Sequence, residues 1–247
     1  MTRERGADQP PVGVPWGAAD VLLVVALVLV ALVLTLQAAA GLAMLLDVGT
    51  RGELLTGLGV TIAAELLAAL LILSYLTARY KLPIRQALAQ LGFRDLQPAE
   101  LLWPFAFVVL AYLIIGVYVL VVTALGVDVL EPEQQVPGDV FDYPSTTVLA
   151  GVAIVLVAPV AEELFFRGFV FAGLIRTLGV PGAAVAAGLL FGLAHFQPGL
   201  FVPFSLVGVL FGYIYHWTRS LWVTVASHLL FNAIGFAGML AGVVLLS

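Results

Sequence analysis

An all-α bundle of membrane-spanning helices is the fold this sequence predicts, and three observations predict it. Of the 247 residues, 62% are hydrophobic and 10% charged, with a mean hydropathy of +1.13, whereas a soluble domain is about 45–50% apolar and about 25% charged. Too few polar side chains remain to cover a surface facing water, so lipid must cover it. The apolar residues fall in runs of roughly twenty, the length an α-helix needs to cross a hydrocarbon core of ~30 Å. No stretch between these runs is long enough for a soluble domain.

Residues 1–19 are polar, with Pro10, Pro11 and Pro15, and predict a disordered tail. The first helix runs from Val21 to Leu46 with only Thr35 and Gln37 polar. It is too long for a signal-peptide core of about 7–15 residues and is expected to be retained. A second apolar run over 54–78 carries Glu65. The connector 80–95 sets Leu82, Ile84, Leu88 and Leu91 among Lys81, Arg85 and Arg94, a pattern for an amphipathic helix on the membrane surface. A third span covers 101–125 and completes a first region, 20–125. An acidic loop follows over 126–145, with Asp128, Glu131, Glu133, Asp139, Asp142 and no base.

The remaining part, 146–247, holds apolar runs at about 146–177, 182–196, 200–217 and 221–246. They are separated by Gly179 with Pro181, by Gln197-Pro198-Gly199, and by Thr218-Arg219-Ser220. The expectation is therefore about seven spans, or eight if a short segment re-enters. The charge is −5 from 15 acids and 10 bases. Eight bases fall on one side of such a bundle, in the tail (Arg3, Arg5), the connector (Arg79, Lys81, Arg85, Arg94), Arg176 and Arg219; the other side has only Arg51. Retention of positive charge on the cytoplasmic face then predicts an integral plasma-membrane protein with a cytoplasmic N-terminus. No basic patch suited to nucleic acid is present. The absence of cysteine excludes disulfides, thiolate nucleophiles and thiolate metal sites.

An ionisable side chain inside a span costs several kcal/mol by most scales and is a functional candidate by default. The fourth span holds three of them, in Ala161-Glu162-Glu163-Leu164-Phe165-Phe166-Arg167. Glu163 and Arg167 stand at i and i+4 with the acid first, the favoured orientation for an ion pair. That pairing explains Glu163 and Arg167 as mutual neutralisation. It leaves Glu162 about 100° away without an intrahelical partner, the situation of a carboxylate that takes and gives protons. His195 and the i, i+4 pair His228 and Asn232 are the other polar groups within apolar spans, and interhelical hydrogen bonding would account for either alone. His216, beside Trp217, is expected to anchor at the interface, and Glu65 receives no role.

If the fourth and fifth helices form a hairpin turning near Gly179, Glu162 lies seventeen residues before the turn and His195 sixteen after it, at nearly equal depth. His228 and Asn232 are nine and thirteen residues beyond Arg219, shallower by roughly 6–12 Å at 1.5 Å per residue, so tilt or re-entry is required. Such a set suits amide hydrolysis, with Glu162 deprotonating a water held by His195, and His228 with Asn232 donating to the oxyanion. Used otherwise, Glu162, His195 and His228 form a two-histidine, one-carboxylate site for a divalent metal such as zinc. A proton-coupled transporter using Glu65, Glu162 and His195 as relay groups is an alternative from another class, though no internal repeat supports it. A non-catalytic scaffold or immunity protein is a third.

Glu162-Glu163-x-x-x-Arg167, Phe191-x-x-x-His195 and His228-x-x-x-Asn232, in this order on successive hydrophobic helices, resemble the CPBP family of intramembrane proteases. That family includes the type II CAAX prenyl endopeptidases and bacteriocin-processing or self-immunity proteins. The resemblance covers about residues 146–235 and leaves helices one to three unconstrained. It implies a hydrolase acting on a peptide or protein substrate, lipidated in some members, within membrane lipid. It also implies that Glu162 activates water, Glu163 and Arg167 support the site, His195 positions water or binds metal, and His228 with Asn232 stabilises the oxyanion or completes a metal site. The family carries a metalloprotease label; as chemistry, the metal-free version, with no cofactor, is preferred.

Overall fold

The structure is a computed structural model that describes residues 13–46 and 49–242, without side chains for 42–46. Nine α-helices follow one another among these residues: α1 (Ala18–Leu46), α2 (Gly49–Tyr80), α3 (Ile84–Gln90), α4 (Trp103–Leu125), α5 (Pro144–Gly151), α6 (Ala158–Glu163), α7 (Ala172–Leu193), α8 (Pro198–Thr218) and α9 (Leu221–Leu240). Two π-helical stretches, Val152–Val157 and Leu164–Phe171, join α5 to α6 and α6 to α7, so Pro144–Leu193 is one unbroken run of 50 residues. Among the described residues, six helical runs are long and apolar enough to cross a membrane. The chain is an all-α, polytopic integral membrane protein.

The difference from seven spans lies in that run. At 1.5 Å per residue, 50 residues reach ~75 Å, well over twice a bilayer core. The chain folds back at Gly179, whose φ of 65° and ψ of 175° only glycine adopts without strain. The rings of Phe166 and Phe191, which stand symmetrically about the turn, lie 5.2 Å apart. The hairpin expected from the sequence is therefore formed. Its second arm is too short to count as a span alone, and it is the one that ends at His195.

This arm packs along α8 through small residues, which let two backbones approach where lipid offers no hydrophobic drive to bring helices together. A Cβ on Gly188 would lie 2.6 Å from the carbonyl oxygen of Ser205, and one on Gly208 would lie 2.8 Å from the Cα of Gly188. A Cβ on Gly192 would collide with the Ser205 hydroxyl.

The two ends of the bundle differ in charge as the sequence predicts. At one end Arg94 bonds the carbonyls of Thr218 and Arg219 as well as Glu100, the amide of Leu221 donates to Gly92 (2.8 Å), and Gly17 lies beside Arg176. At the other end Arg51 donates to Ser145 (3.0 Å), while the acidic loop is pinned to neighbouring elements: Tyr118 donates to the Leu130 carbonyl (2.9 Å) and the amide of Glu133 to the Gln197 side chain (3.1 Å).

Three expectations change. The tail drawn to residue 19 ends earlier: α1 begins at Ala18, and Trp16 is buried, stacked on Phe169 at 5.5 Å with its indole N–H donating to the Phe169 carbonyl (2.9 Å). Residues 1–12 lie outside the described part. The connector 80–95 forms the short helix α3 with Ile84 exposed, yet Ala87 and Leu91 are fully buried. It docks on the bundle instead of only floating on the bilayer, because Leu91 sits against Gly168, where no side chain intervenes. The last span, expected to reach 246, is helical to Leu240, and 243–247 lie outside the described residues.

Candidate active site

The polar groups of the second half converge on one cavity of about 370 Å³. Four of the six candidate residues line it: Glu162, His195, His228 and Asn232. Glu163 and Arg167 do not. They sit behind the wall, Glu163 with no exposure at all and Arg167 at 1%.

The i, i+4 pair forms as its spacing predicts, with Arg167 Nη1 donating to Glu163 Oε1 at 2.8 Å. A buried ion pair repays its desolvation only if further contacts satisfy it. Here Arg167 lies over the rings of Phe211 (4.3 Å), Phe191 (4.6 Å) and Phe166 (5.6 Å), and Nη2 reaches the Gly208 carbonyl at 3.4 Å. Glu163 Oε1 also meets His228 Nδ1 at 2.9 Å. A carboxylate only accepts, so Nδ1 carries a hydrogen, and the ring turns Nε2 the other way, to 3.9 Å from Glu162 Oε2. The pair behind the wall thus fixes the ring that faces the cavity.

Glu162 stands about 100° round the same helix from Glu163, half-buried, and its Oε2 is enclosed without a hydrogen-bond partner. His195, in the turn after α7, pairs Nδ1 with the Phe191 carbonyl at 2.8 Å. A carbonyl also only accepts, so the neutral ring keeps Nε2 as an acceptor. Phe191 and Phe204 hold that ring edge-on at 4.8 and 4.5 Å. Asn232 donates Nδ2 to the Ile154 carbonyl at 2.8 Å. Ile154 lies in the first π-helical stretch, where the i→i+5 pattern disturbs the regular ladder and an outside donor is needed. One of the two amide hydrogens of Asn232 is thereby used and the other remains.

The π-helical stretch Leu164–Phe171, between the motif and Gly179, supplies part of the depth. A wider turn holds more residues in less axial length, so a count at 1.5 Å per residue overstates how far Glu162 and Glu163 lie from His228. The gap of 6–12 Å that such counting gives is closed in the structure.

The metal alternative finds no ready-made cluster. Among the described residues, no three His, Cys, Asp or Glu side chains are grouped to hold an ion. Nδ1 of each histidine is engaged, by Phe191 for His195 and by Glu163 for His228, which leaves Nε2 of both rings free toward the cavity, as in a metal-ligating histidine with its outer support. Sequence reasoning missed three parts of the site. Glu65, with Leu58 and Thr61 on the same face of α2, lines the cavity. Gln135, Val136, Pro137 and Val140 of the acidic loop form another part of its wall. The phenylalanine cage of Arg167 comes from three helices. Only Glu65 left a signal, as a lone charge in a span.

A model for the Rce1-like type II CAAX prenyl endopeptidases matches residues 144–234. A Bacillus subtilis (strain 168) protein named "Putative membrane peptidase YdiL" is 27% identical over 77 residues, 31% of this chain and 32% of that protein. The chain thus matches about a third of the length of this curated relative. No solved structure matches the chain. Every one of the six candidate residues lies inside the segment that the family model matches, so the likeness to the type II CAAX prenyl endopeptidases extends over the whole candidate set.

Proposed function

We propose that this chain is an intramembrane endopeptidase that hydrolyses a peptide bond with a water activated by Glu162. The observation that carries the reading is the unpartnered Oε2 of Glu162, on the cavity wall 3.9 Å from a histidine nitrogen that Glu163 holds in place. Water donates one hydrogen to Glu162 and the other to Nε2 of His195, and its oxygen attacks the substrate carbonyl carbon. The proton passes to Glu162, and the carbonyl oxygen becomes an oxyanion. The second amide hydrogen of Asn232 donates to that oxyanion, and Nε2 of His228 does so when the ring, held at Nδ1 by Glu163, is the doubly protonated imidazolium. Collapse breaks the C–N bond, and Glu162 returns its proton to the leaving nitrogen, giving a carboxylic acid and an amine. Glu163 and Arg167 touch no reacting atom in this scheme; they position His228.

The substrate is a peptide or protein at the membrane, and the reaction runs without a metal. The basic end of the bundle faces the cytoplasm, following the distribution of arginine. The test is Glu162→Gln in purified protein with a membrane-embedded peptide. Cleavage should fall by about 10²–10⁴-fold, the scale of general base catalysis, with the thermal unfolding curve retained. Full activity in that variant, or activity lost with a chelator and regained with zinc, overturns the mechanism.

A further inference from the structure

Glu65 is the one acid on the cavity wall that this hydrolytic scheme leaves unused. It stands two turns along α2 from Leu58, on a face shared with Thr61, and all three line the cavity that holds Glu162. Among the described residues no cation lies within ion-pair distance of it; the buried guanidinium, Arg167, is committed to Glu163. A carboxylate in an apolar wall is costly unless it is paired. The apolar part of the cavity lining includes Leu58, Val136, Val140, Ala153, Ile154 and Ala158, a wall suited to the methylene stem of a long basic side chain. The cavity also reaches the loop 126–145, which carries five acids and no base and would draw a cation toward it.

We propose that Glu65 selects substrates bearing a lysine or arginine side chain near the scissile bond, its alkyl stem in the apolar part of the cavity and its charged head on the Glu65 carboxylate. This rests on the endopeptidase reading and names its substrate class. Glu65 is a specificity residue, in contact with a side chain of the substrate and not with the reacting atoms.

The experiment uses two amphipathic peptides that differ only by lysine or norleucine close to the cleaved bond, with the full chain in lipid nanodiscs. The wild type should cleave the lysine peptide with at least about tenfold higher kcat/KM, carried mainly by KM, and Glu65→Gln should bring the ratio to about one. Binding of the same peptides to the Glu162→Gln protein, with and without Glu65→Gln, gives a readout independent of cleavage. Tighter binding of lysine that depends on Glu65 supports the proposal even if no peptide is cut, in which case the endopeptidase reading alone fails. No lysine preference in binding or cleavage, or a preference that survives Glu65→Gln, overturns it. Equal loss of cleavage of both peptides by Glu65→Gln, with binding unchanged, would instead place Glu65 in the proton chemistry.

Discussion

Helices α1 and α8 are both apolar enough to cross a bilayer, yet 11% of the most apolar stretch of α1 is buried against 61% of that of α8. The more buried helix is the less apolar one. In water the reverse would hold, but lipid tails are as apolar as leucine, so apolar side chains gain nothing by leaving them. What drives residues inward here is polarity and close backbone approach. The hairpin and α8 meet at glycines; α9 brings His228 and Asn232 inward, and α2 brings Glu65. The outer face of α1 needs only to be greasy.

This contrast can be broken by substitution. Arg167→Met removes one member of a fully buried pair and leaves Glu163 charged; stability should fall by about 3–5 kcal/mol, read by thermal or denaturant unfolding in detergent. An unchanged curve would mean that the pair is not a structural charge. Gly188→Ala places a methyl group against the Ser205 carbonyl, 2.6 Å away, and should cost about 1–3 kcal/mol by forcing the second arm of the hairpin away from α8. Leu34→Ala on α1, where the side chain is 63% exposed, should change stability by less than about 0.5 kcal/mol. A loss as large as that at Gly188 would show that α1 has a protein partner on that face.

Much of this architecture was legible because membrane spans announce themselves by length and charge. Glu162 and His195 could be matched across a turn at Gly179 by counting alone, and the Glu163–Arg167 pair followed from helical spacing. The second partner of Glu163 could not be read. His228 lies sixty-five residues on, and the relative depth of the two groups rests in part on the π-helical stretch Leu164–Phe171, which no residue pattern there signals. Trp16 was hidden for a different reason: a polar, proline-rich context predicts a loose tail, while a single indole reaching the Phe169 carbonyl is enough to fasten its end. Glu65 was visible as an anomaly but unplaceable, since nothing in one dimension says which helix faces which.

The first π-helical stretch makes the site sensitive to residue number as well as residue type. A return of Val152–Val157 to regular α-helix with all six residues kept would turn everything beyond it by about 100° relative to α5. If α5 kept its place, Glu162 would swing off the cavity and Glu163 away from His228; if the motif kept its place, the start of α5 and the loop ahead of it would turn instead. The extra residue held in this wider turn is therefore part of the chemistry, because it keeps Glu162 and Glu163 in phase with the helix ahead of them.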